Sequence, residues 1–89
     1  MAEKTIDAIN VREGQTVTRI VANERSPFLR RRIKVDQDIE QTNGRWPTVI
    51  ERDYLERGEG GRPTVYLTLS NSPEGVFPLM SDDQVTVIA

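Results

Sequence analysis

The sequence predicts an all-β domain, a small five- to six-stranded antiparallel barrel or sandwich. Three observations carry that prediction. First, β-branched residues dominate: the chain holds 24 Val, Ile and Thr against 9 Ala and Leu in 89 residues. Such side chains lose rotamer freedom in a helix and pack well on a pleated surface. Second, apolar residues recur at steps of two rather than three or four, the period of a half-buried strand. Third, turn-forming clusters interrupt the apolar runs about every 8–12 residues, the spacing expected of small barrels and sandwiches.

Taken in order, Thr5 to Val11 reads as a weak strand, with residues 1–5 as a flexible arm ahead of it, and Arg12-Glu13-Gly14 as a turn. Gln15 to Ala22 (QTVTRIVA) alternates Thr16, Thr18, Ile20 and Ala22 against Val17, Arg19 and Val21. A loop over 23–31 contains Pro27, which removes a donor and holds Ser26 extended. Arg30 to Glu40 (RRRIKVDQDIE) places Ile33, Val35, Gln37 and Ile39 on one face and Arg32, Lys34, Asp36, Asp38 and Glu40 on the other, so a strand is expected there. Thr42-Asn43-Gly44 is a turn signal.

Trp46 to Arg57 (WPTVIERDYLER) is open to two readings. Pro47 could occupy the first turn of a short helix. The alternation of Trp46, Thr48, Ile50, Arg52 and Tyr54 against Val49, Glu51, Asp53 and Leu55 favours a strand, because GEGGRP at 58–63 reads as the loop of a hairpin to the next segment. That segment, Thr64 to Ser70 (TVYLTLS), puts Val65, Leu67 and Leu69 on one face. A turn is expected over Asn71 to Gly75, then a short strand from Val76 to Met80 interrupted by Pro78. Ser81-Asp82-Asp83 forms a tight turn, and Gln84 to Ile88 a last strand.

Size and charge bound the rest. Ile, Val, Leu and Phe make up 23 of the 89 residues, above the roughly 20% below which disorder is expected. A single core is all that this length supports, and stability is expected to be marginal, so that association with copies or partners would help. With no cysteine and no histidine, disulfides, thiolate or imidazole zinc sites and histidine-based nucleophilic triads are excluded. No apolar run approaches a membrane span of about 18 residues. The polar start MAEKTIDAIN lacks a signal-peptide apolar region, so a cytoplasmic protein without membrane contact is expected.

Two stretches carry a family resemblance. REGQTVTRIV, within residues 12–22, resembles the first strand of small Src-homology-three-like barrels. GVFPLMSDDQVTVI, within residues 64–88, resembles their last two strands joined by a one-turn connection. The resemblance implies a small barrel used as a binding module for peptides, nucleic acid or larger assemblies. It does not by itself assign a function.

Candidate chemistry is sparse. Ten of the twelve basic residues are arginine, whose planar fork suits carboxylate or phosphate partners. Arg25, Arg30, Arg31, Arg32, Lys34 and Arg45 form a basic segment, with Trp46 and Tyr54 as neighbouring aromatics. Arginine and tryptophan together are enriched at protein–protein hot spots. The same combination serves single-stranded nucleic acid, although an acidic pI near 5.1 works against phosphate binding. A plainer alternative is that Asp36, Asp38 and Glu40 neutralise the basic run across neighbouring strands. Those three carboxylates are spaced too far apart along a strand for one metal ion. The glycines of GEGGR at 58–62 lack the spacing of a phosphate loop. Trp46, set between a polar turn and Pro47, is the aromatic most open to partial exposure, but a core tryptophan under a loop is the favoured reading.

These features lead to a small non-catalytic protein–protein interaction module without metal, cofactor or small-molecule ligand. Its partner would be another protein or further copies of itself, with contacts at Arg25, Arg30, Arg31, Arg32, Lys34, Arg45, Trp46 and Tyr54. A phage or mobile-element accessory protein acting on host machinery or on an assembly is the biological setting that size suggests. The alternative is a nucleic-acid-binding barrel that uses the Arg25–Arg45 segment.

Overall fold

The β-branched, alternating sequence folds as expected into an all-β domain. A computed structural model of the chain describes residues 2–21, 36–39 and 41–88. Among these residues the strands are β1 (Glu3–Asp7), β2 (Thr16–Val21), β3 (Asp36–Asp38), β4 (Val49–Leu55), β5 (Thr64–Leu69), β6 (Ser72–Met80) and β7 (Gln84–Ile88). One sheet has the order β1-β7-β2-β3 and the other the order β4-β5-β6, with every pairing antiparallel.

Alternation decides what fills the space between the sheets. Val85 and Val87 of β7 and Val65, Leu67 and Leu69 of β5 are buried, together with Val11, Val17, Ile20, Val49 and Leu79. β5 is central in its sheet, and Thr64 and Thr68 on its other face are buried as well. The Thr64 hydroxyl is satisfied in both directions: it accepts from the Glu59 N–H at 3.0 Å and donates to the Arg62 carbonyl at 2.9 Å.

The two sheets join at one corner. Val17 donates its N–H to the Pro47 carbonyl at 2.9 Å, Val49 to the Gln15 carbonyl at 2.9 Å, and Gly14 to the Val49 carbonyl at 2.8 Å. On the other side of the same short segment, Ser70 donates to the Thr48 carbonyl at 2.9 Å. A second link is made where a 3-10 turn over Ala8–Asn10 follows β1, since Ala8 donates to Asp83 and Ile9 to Ser81. Asp83 is fully buried and accepts the Met80 N–H on Oδ2 at 2.9 Å, which closes the expected turn between β6 and β7. The barrel stays open between these links.

Several boundaries differ from the sequence expectation. From Glu3 onward the expected arm is an edge strand, paired residue by residue with β7 from Glu3↔Ile88 to Asp7↔Gln84. Pairing supplies what the weak alternation of this segment did not signal. Residues 49–55 form a strand and not a helix, because the hairpin with β5 satisfies the backbone. The turn expected over 71–75 is tighter and earlier, at Ser70-Asn71, and β6 runs through Pro73, Gly75 and Pro78. Proline is tolerated there because β6 lies at a sheet edge. Of the strand expected over 30–40, only Asp36–Asp38 is seen as β3, and residues 30–35 and 40 lie outside the described part. The loop expected over 23–31 also lies outside it.

Among the described residues three strand pairings carry a register shift; one lies between Leu67 and Leu69 where β5 meets β6, and the two others break the alternation. One falls between Val17 and Arg19, so Val17 and Ile20 both reach the core although they differ in parity. The other falls between Val49 and Glu51 and turns Ile50 outward, 48% exposed. Beyond it, Arg52 sits opposite the buried Leu67 and donates from Nη2 to the Ile9 carbonyl at 2.7 Å, while its Nε is buried without a partner. A bulge displaces every later side chain by one face.

Candidate functional site

The region around Trp46 is built from a turn and a strand junction. Thr42 and Arg45 exchange both backbone hydrogen bonds, at 2.8 and 3.1 Å. Asn43 and Gly44 between them have φ of 54° and 75°. Positive φ at both central residues of a two-residue loop marks the turn twist favoured in hairpins, and Asn-Gly is the pair best able to adopt it. Immediately after Trp46, Pro47 is buried and its carbonyl is held by Val17. Thr48 donates its N–H to the Ser70 hydroxyl at 3.0 Å. Trp46 is thus presented between a rigid turn and the corner that joins the sheets, and it remains 37% exposed.

The indole forms a wall shared by two concavities. The larger, about 620 Å³, is lined by Glu3, Thr5, Thr18, Arg19, Ile39, Gln41, Trp46 and Thr86. Its floor is the outer face of the first sheet, where Thr5 and Thr86 join hydroxyls at 3.0 Å and Thr18 donates to the Thr86 carbonyl at 3.4 Å. Ile39 contributes the apolar side and is fixed by donating its N–H to the Thr18 carbonyl at 3.0 Å. The smaller cleft, about 330 Å³, runs between Arg45, Trp46, Pro47 and the Ser70-Asn71 turn. Together they present an indole face, hydroxyls, amides, two guanidinium groups and one carboxylate. That set of groups can grip an extended chain by stacking and hydrogen bonding.

Of the residues singled out from the sequence, Arg45 and Trp46 come together here. Tyr54 does not join them: it stands near the far end of β4, opposite Val65, and is 38% exposed. Arg25, Arg30, Arg31, Arg32 and Lys34 lie outside the described residues. The structure adds Arg19, Thr5, Thr18 and Thr86. Their threonines read in the sequence only as strand formers, and no local pattern shows that β1, β7 and β2 lie side by side.

Among the described residues no group of three or more acidic side chains could hold a metal ion, and no helix is long and apolar enough to cross a membrane. Comparison with protein families, with curated proteins and with solved structures yields no match, so the site is read from its own geometry.

Proposed function

We propose that the protein is a non-catalytic docking module that receives an extended segment of a protein partner across Trp46. The observation that carries this reading is the position of the half-open indole between two adjacent clefts, on a scaffold that fixes it from both sides. Preorganised aromatic anchors bind at little ordering cost, and tryptophan and arginine are both enriched at hot spots. Among the described residues Glu3 is the one carboxylate lining either cleft, beside Arg19, Arg45 and the threonine hydroxyls, a set of groups suited to binding. The resemblance of residues 12–22 and 64–88 to Src-homology-three-like barrels supports the same reading. An accessory role in a phage or mobile element, exerted in the cytoplasm on host machinery, is the setting we assign to it.

The test compares baits. A pull-down from host extract with wild-type protein and with Trp46→Ala and Arg45→Ala variants identifies the partner, which is then purified and titrated. We expect Trp46→Ala to weaken that binding about tenfold or more while the fold is retained. Equal capture and equal affinity for all three baits would remove Trp46 from the interface. Labelled single-stranded oligonucleotides are titrated in parallel at about 20 mM salt. Submicromolar binding there, falling steeply as salt is added, would replace the protein-docking reading with nucleic-acid binding.

A further inference from the structure

Around the smaller cleft beside Trp46, the carbonyls of Thr42, Arg45, Pro47 and Thr48 are all engaged by backbone N–H groups. The Ser70 hydroxyl accepts the Thr48 N–H at 3.0 Å, which leaves its own proton to give. Arg45 is exposed. Among the described residues neither its guanidinium nor the Trp46 indole N–H has a hydrogen bond or an ion pair. Both groups are donors only. Thr42 and Thr48 add hydroxyls that act in either sense. The strongest hydrogen-bonding groups left open here are therefore donors, and what they lack is an acceptor.

Charge runs the same way. Among the described residues no carboxylate lines this cleft, and Arg45 is its one charged side chain. Glu3 belongs to the larger cleft. A planar guanidinium pairs best with an anion that offers two oxygens, through parallel N–H···O bonds. Carboxylate and phosphate both have that shape. A nucleic-acid strand draws its affinity from several cations acting together, whereas this cleft supplies a single guanidinium on a chain of net charge −2. One cation beside an indole matches one carboxylate.

We propose that the smaller cleft recognises a carboxylate of the docked segment. An Asp or Glu side chain forks onto Arg45 and accepts from Ser70, next to the residue that covers Trp46. This inference rests on the docking reading above and names the chemistry of its partner. The acid gives selectivity as well as affinity, because a basic side chain in its place meets a like charge and a neutral one leaves the guanidinium uncompensated.

Random linear peptides displayed on yeast, selected against the full chain, test this. Trp46→Ala and Arg45→Glu are selected in parallel, and the best binders are synthesised and titrated. Wild type should enrich Asp or Glu beside an apolar or aromatic residue, and Arg45→Glu should enrich Lys or Arg at the same place. Exchanging the acid of the best peptide for its amide should weaken binding to wild type about tenfold. The same exchange should leave binding to Arg45→Ala unchanged, the signature of a direct pair. Affinity for wild type should fall as salt is raised from about 50 to 500 mM. Both Arg45 variants should keep the wild-type far-ultraviolet spectrum, and the amide exchange tests the proposal on the wild-type chain alone. Peptides that need Trp46 but carry no acid overturn this proposal and leave the docking reading standing. So does an acid whose exchange weakens binding to wild type and Arg45→Ala alike. If no selected peptide needs Trp46, the docking reading falls and this proposal falls with it. A single-stranded oligonucleotide that binds more tightly than the best peptide, and loses that binding in Arg45→Glu, assigns the cleft to phosphate instead.

Discussion

The second sheet has two edges, and they are built differently. β6 carries Pro73 and Pro78, which remove two backbone donors from a nine-residue strand. Pro78 lies opposite Tyr66, whose own groups face β4, so the proline nitrogen faces away from the sheet. β4 has no proline from Val49 to Leu55 and instead carries three charged side chains of both signs, Glu51, Arg52 and Asp53. One edge resists pairing by chemistry that no partner can complement. The other keeps its backbone donors and is guarded by charge, with Glu51 and Asp53 exposed. Proline and charge are thus two separate protective devices on one three-stranded sheet.

The two edges share β5, and the largest effect comes from striking the strand between them. Leu67 is fully buried opposite both Arg52 and Phe77. Leu67→Ala should cost about 2–5 kcal/mol in a urea titration, because the truncation leaves a cavity in a core of only a few large side chains. Near-native stability would mean that the sheets do not pack across this residue.

A smaller effect isolates β4. Arg52→Ala removes the donor to the Ile9 carbonyl and the aliphatic stem that covers Leu67, and should cost about 1–3 kcal/mol. Arg52→Met keeps the stem and eliminates the buried unpartnered Nε, so its cost should be under about 1 kcal/mol. If both variants lose the same amount, the hydrogen bond to the 3-10 turn rather than the stem holds this edge against the first sheet.

The smallest change in stability belongs to β6. The Pro73→Ala/Pro78→Ala double variant should shift unfolding by no more than about 1 kcal/mol, chiefly through the freedom it returns to the unfolded chain. Its assembly should change more than its stability, since a second edge then offers donors. Light scattering should show larger species than the wild type forms, whereas an unchanged size distribution would show that proline is not what silences this edge.

Much of this architecture is written locally. Alternation alone places Val65, Leu67 and Leu69 on a buried face and marks Val85 and Val87 as core, because a period of two leaves no other way to bury them. Asn43-Gly44 announces its turn because few other pairs accept positive φ at both positions. Trp46 is not settled by its neighbours, since a polar turn and a proline fit a core tryptophan under a loop as well as the 37% exposure it has. Bulges leave no local mark either. Nothing in TVTRIV says that Thr18 is the extra residue, or in VIERDY that Ile50 is, since a bulge is defined by the partner strand and not by its own sequence.

By itself, then, the sequence determined an all-β chain without histidine or cysteine chemistry and a set of core faces. Each of these follows from side-chain type and spacing along the chain. Only the tertiary structure decided that β1, β7 and β2 bring Thr5, Thr86 and Thr18 beneath Trp46, and that Tyr54 stands apart from it. It also decided that Arg52 turns inward and that β4 stands at the edge of its sheet among the described residues. Those outcomes depend on which strands are neighbours and in what register. Strand pairing joins residues as far apart as Glu3 and Ile88, and no periodicity within a single segment encodes such a contact.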